Sequence, residues 1–108
     1  MGEQGSLDLG PSRYVTWKGK TFLAAIVVAQ ANSALASGAA LILPVGAVFE
    51  PTTVPDLYVV EKPLPFPGRF LVRRQDGTGE PIHALARAVK RVVSVPEVCP
   101  PVADWARA

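Results

Sequence analysis

Nucleophilic catalysis needs a base within reach of its nucleophile, and this sequence offers one histidine, His83, and one cysteine, Cys99. The apolar spacing around His83 predicts that it lies on the polar side of a helix, the ordinary place for a solvated imidazole. Cys99 stands between Val98 and Pro100 in a proline-rich segment, without the electropositive helix start that would hold a thiolate. Structural zinc takes about four Cys or His ligands, and these two fall short of that. Glu50, Asp56, Glu61, Asp76 and Glu80 are scattered near expected strand ends and turns rather than paired as an acid and a base. Gly77 and Gly79 lack the lysine and following hydroxyl residue of a phosphate loop. These residue types point away from an enzyme and call for no cofactor or metal.

What remains is aromatic side chains interleaved with basic ones. Trp17, Lys18, Lys20 and Phe22 form one group near Arg13 and Tyr14, and Arg69, Phe70, Arg73 and Arg74 form a second near Phe66. Single-stranded nucleic acid presents flat bases and a charged backbone, so exposed rings flanked by Arg and Lys can stack on the first and neutralise the second. The competing reading of each ring is that it fills the core. Side chains alternate along a strand, so Phe70 and Arg74 share one face while Arg69 and Arg73 share the other. If Phe70 stacks on a base, Arg74 is then the cation that meets the adjoining phosphate.

The elements that would position these residues belong to one domain, because 108 residues close a single modest core. Hydrophobic residues at 49% exclude a disordered chain, and charged residues at 19% leave apolar surface for a partner or a second copy to cover. Eleven prolines and nine glycines interrupt runs of Val, Ile, Leu and Thr, which predicts a mainly β fold, a small OB-like or SH3-like barrel. Residues 1–12 read as a flexible arm, 13–95 as the β-rich domain and 96–108 as a proline-rich tail whose Trp105 docks on its own domain or on a neighbour.

Within the domain, residues 13–17 and 21–29 are expected to form a hairpin about Lys18-Gly19-Lys20, and 32–38 a loop. A bent strand is expected over 39–49, with further strands over 56–61 and 68–74. Pro81 suits a first helical position, and Ile82, Leu85, Val89 and Val92 recur at helical spacing. One short C-terminal amphipathic helix is therefore expected, with Arg87, Lys90 and Arg91 on its polar side as a solvated face or a phosphate-facing stripe.

No charged residue occurs between Lys20 and Glu50, so a single membrane-spanning helix over about 21–49 also has to be considered. Gln30, Asn32, Ser33, Gly38 and Pro44 interrupt that stretch, and its alanines are only weakly hydrophobic. A single cysteine supplies no intrachain disulfide, which makes the cytoplasm the default compartment, or host cytoplasm or a virion for a phage-encoded chain.

Pro55-x-Leu57-Tyr58-x-Val60, followed by Gly68-Arg69-Phe70, resembles the second half of the gene V family of filamentous-phage single-stranded-DNA-binding proteins. Gly19-Lys20-Thr21-Phe22 is similar to that family's Gly-Lys-Pro-aromatic turn, so the likeness spans roughly residues 19 to 73. The resemblance implies a five-stranded OB-type barrel that dimerises and coats single-stranded DNA, with Phe22 and Phe70 as base-stacking aromatics. Its departures are the apolar stretch 23–40 and the C-terminal extension. Composition and resemblance together favour a nucleic-acid-binding module that forms homo-oligomers. A structural subunit of a virion or other assembly is the alternative, and a single-pass membrane subunit a third.

Overall fold

The computed structural model describes residues 13–66 and 68–106. Strands β1 (Tyr14–Trp17) and β2 (Lys20–Leu23) pair antiparallel as the expected hairpin. Lys18 and Gly19 turn the chain between them with φ of 50° and 81°. Positive φ at both central residues is what a two-residue turn of matching twist demands, and only glycine adopts it without strain.

The chain passes directly from β2 into helix α1 (Ala24–Ala36), which corrects the expected second half of a strand and the loop after it. Six of its thirteen residues are alanine, the best helix former, and their small volume lets α1 lie close against its neighbours. The stop signal is Gly38 at φ 92°. Its amide bonds to Leu35 O and that of Ala39 to Ala34 O, the paired closure that a left-handed residue after a helix makes available. Thirteen residues rise about 20 Å, short of the ~30 Å apolar core of a bilayer. Among the described residues no helix is long and apolar enough to cross a membrane.

The second sheet has five antiparallel strands, β3 (Val48–Pro51), β4 (Tyr58–Pro63), β5 (Arg69–Arg74), β6 (Ile82–Leu85) and β7 (Val89–Ser94), in the order β6-β5-β4-β3-β7. The expected C-terminal helix is thus a strand, a 3-10 turn (Ala86–Ala88) and another strand. Its helical spacing has a specific cause. Against β3, the register shifts so that Lys90 and Val93 each lack a partner, and two such bulges reset the alternation. Buried Val89, Val92 and Val95 consequently recur every third residue, as they would on a helix.

One core joins both sheets and α1. Phe49 packs edge-on against Phe70 at 5.8 Å and beside Tyr58 at 6.3 Å, with Val60, Val72 and Val92 around them. Helix α1 packs on β7, and its Val27 and Ala31 belong to the same cluster as Val15 and Leu41. The tail belongs to it too. Val98 bridges to Thr16 beside β1, and Trp105, in a short 3-10 helix (Val102–Ala106), is almost completely buried. Its indole donates to Pro100 O at 3.0 Å, and its carbonyl accepts from the amide of Ile42. Residues 1–12, expected to form an arm, lie outside the described residues.

Candidate nucleic-acid interface

On β5 the alternation is Phe70 and Val72 inward, Arg69, Leu71 and Arg73 outward. Phe70 is fully buried, so it presents no face to a base, which corrects its assignment as a stacking residue. Arg74, nominally on the same face, sits at the strand end and pairs with Asp56 at 3.4 Å. Arg73 Nε donates to Glu61 Oε2 at 2.6 Å. The sheet itself aims that carboxylate, because Glu61 is the extra residue of a bulge between Val60 and Lys62.

The expected stripe of Arg87, Lys90 and Arg91 is split in the same way. Glu50 of β3 accepts from Arg91 Nε at 2.8 Å and lies 3.9 Å from Lys90 Nζ, so both β7 cations face a carboxylate on the neighbouring strand. Arg87 projects from the 3-10 turn into solvent and Arg69 from β5, opposite Leu85. Four of the seven candidate residues outside the hairpin are thus engaged in ion pairs, and a fifth, Phe70, is core.

The hairpin differs. Cross-strand partners share a face, so Val15 with Phe22 and Trp17 with Lys20 line one side, and Tyr14 with Leu23 the other. Val15 anchors that first side in the core. Phe22 is 40% exposed, Lys20 exposed, and Trp17 half-buried with Lys18 Nζ 5.6 Å from its ring centroid. Trp17, Lys18, Lys20 and Phe22 are therefore brought together as expected, and Tyr14, 60% exposed, extends the aromatic surface around the edge. No acidic residue occurs between Arg13 and Glu50 in sequence. Glu97 lies beside the hairpin, its carbonyl accepting from the Thr16 amide at 2.7 Å. Arg13 is held at the hairpin's base by donating to Val95 O at 2.8 Å.

Cys99 is buried beside this hairpin, its amide bonded to Thr16 O, and burial pushes its thiol up to about 11. His83 lies exposed on the edge strand β6. Among the described residues no group of three His, Cys, Asp or Glu side chains is arranged to hold a metal. No known family model matches this chain, and neither does any curated protein or solved structure.

Proposed function

We propose that this protein is a non-enzymatic module that binds single-stranded nucleic acid on its β1–β2 hairpin. The observation that carries the reading is the run of Phe22, Lys20 and Trp17 along one hairpin face, with Lys18 at the turn and no carboxylate in the segment. Lys20 stands two residues from Phe22 on β2 and directly across from Trp17, so one ammonium lies between two rings, an arrangement in which bases can stack while a phosphate is neutralised. Lys18 adds support. A lysine in the left-handed region costs about 1 kcal/mol that Gly would avoid, and strain of this kind gathers at binding sites.

The framework is read as a small SH3-like barrel rather than an OB-like one. β3 to β6 form a meander, and β7 lies beside β3 after only the short turn Ala86–Ala88, with no long crossover connection. Titration of a fluorescent single-stranded oligonucleotide tests the function. Affinity should fall linearly on a log–log plot against salt as counterions are released. Absence of salt-sensitive binding would sink the proposal.

A second reading, a structural subunit of a larger assembly, is favoured by a separate observation. Phe66, Ile82 and Val54 expose large apolar side chains away from the hairpin. Sedimentation of the purified chain over a range of concentrations tests it, and a monomer throughout would remove it.

A further inference from the structure

We infer that copies of this chain associate head to tail, the proline-flanked Phe66 loop of one copy entering the cleft between β6 and the 52–57 loop of the next. The inference rests on the assembly reading and gives it a geometry. Pro63 and Pro65 withhold backbone donors and stiffen the loop, and two hydrogen bonds close its neck, Leu64 N to Arg69 O at 3.2 Å and Arg69 N to Phe66 O at 3.3 Å. Phe66 projects from it 55% exposed. A large ring on a pre-ordered extended segment loses little entropy on docking, which is how proline-rich ligands bind aromatic-lined grooves.

The receiving cleft encloses about 300 Å³. Phe49, Pro51, Val54, Tyr58, Ile82 and Leu85 line it, and Ile82 is 48% exposed at its rim. β6 is an edge of the five-stranded sheet, so backbone groups on its outer side are available to an extended segment. Charge complements the fit. Lys62 and Arg69 flank the Phe66 loop, while Asp76 and Glu80 occupy the turn leading into Ile82, all four solvent-facing. Arg87 lies beyond Leu85, at the other end of β6.

The two surfaces are different patches: the cleft runs along β6 from Leu85 to Ile82, and the Phe66 loop lies beyond the end of β4. Phe66 follows the end of β4 near the Arg69–Leu85 pair, whereas Tyr58 and Ile82 lie at the end marked by the 75–81 turn. The contact therefore joins different patches on the two copies, and repetition closes a ring or extends a filament.

The test uses the full chain and two surface variants, Phe66→Ser with an intact cleft and Ile82→Lys with an intact loop. Sedimentation velocity should show concentration-dependent association of the parent and a tenfold or greater rise in dissociation constant for each variant alone. An equimolar mixture of the two should form a one-to-one dimer and stop there, because only one productive contact remains. Circular dichroism and melting curves parallel to the parent confirm that both variants fold. A parent that associates while both variants do so equally overturns the inference and leaves the assembly reading standing. A parent monomeric at every concentration overturns both. A monomeric parent that binds an unrelated proline–aromatic peptide in the cleft assigns the surface to a different protein and also overturns the inference.

Discussion

Asn32 and Val92 exchange two hydrogen bonds: the Asn32 Nδ2 donates to Val92 O at 3.0 Å, and Val92 N donates to Asn32 Oδ1 at 2.7 Å. A helix side chain thereby imitates a neighbouring strand at the β7 edge of the sheet, fixing α1 on the core that carries the hairpin. Replacing Asn32 by Ala leaves both backbone groups without a protein partner and should cost about 1–3 kcal/mol in denaturant unfolding. Asn32→Asp keeps the acceptor but turns an anion toward Val92 O, so it should be no more stable than Asn32→Ala. Parent-like stability of Asn32→Ala would show that water replaces the amide freely.

The tail is a structural part of the domain by virtue of Trp105. Trp105→Ala should destabilise by about 3–5 kcal/mol, since a fully enclosed ring leaves a cavity that α1 and residues 39–43 cannot fill. Trp105→Phe should cost less, retaining most of the packing while losing the indole bond to Pro100 O. Thermal melts of the two variants beside the parent check the ranking.

Strand positions 14–17, 58–61 and 69–74 were legible because β-branched and aromatic residues alternate there between turn residues, whereas Lys62 and Pro63 carry β4 past its expected end. α1 was hidden by valines and isoleucine at 26–28, which suggest a strand locally. The signal that identifies it is the set of alanines closed by Gly38. The segment 82–94 misled in the opposite sense, through bulges at Lys90 and Val93 that lend a strand helical spacing. Of the candidate site, the hairpin group was readable from adjacency alone. The ion pairs that occupy Arg73, Arg74, Lys90 and Arg91 were not, because each joins residues far apart in the sequence that only the folded sheet brings together.

Cys99 supplies a pH-dependent test of the packing beneath the hairpin. Burial raises its folded pKa from an ordinary 9.0 to about 11, so the folded chain holds the thiol proton more tightly than the unfolded chain does. The associated stability is complete below pH 9 and is lost as pH climbs toward 11. Cys99→Ala should therefore lose less of its melting temperature than the parent between pH 8.5 and 11. In the parent, a disulfide reagent at pH 8 should label Cys99 only as fast as the chain opens. Identical alkaline slopes for the two proteins, or immediate labelling, would contradict the burial.

The hairpin and the sheet make opposite predictions for nucleic-acid binding. Lys18→Gln and Lys20→Gln each remove a cation from a segment, residues 13–49, that holds no carboxylate, so each should weaken binding uniformly across sequences and lower the salt slope by about one. Phe22→Ala should cost about 1–3 kcal/mol of affinity if its ring stacks on a base. Being partly exposed, it should leave the fold intact. Phe70→Ala should instead unfold the chain readily, because that ring fills the centre of the core against Phe49. Arg73→Gln is the contrasting control. Its guanidinium already serves Glu61, and both side chains are more than a third exposed or close to it, so neither stability nor salt slope should move much. A salt titration of oligonucleotide binding for the four folded variants beside the parent decides between the two surfaces. A reduced slope for Arg73→Gln with unchanged slopes for both lysine variants would move the binding surface from the hairpin to the sheet.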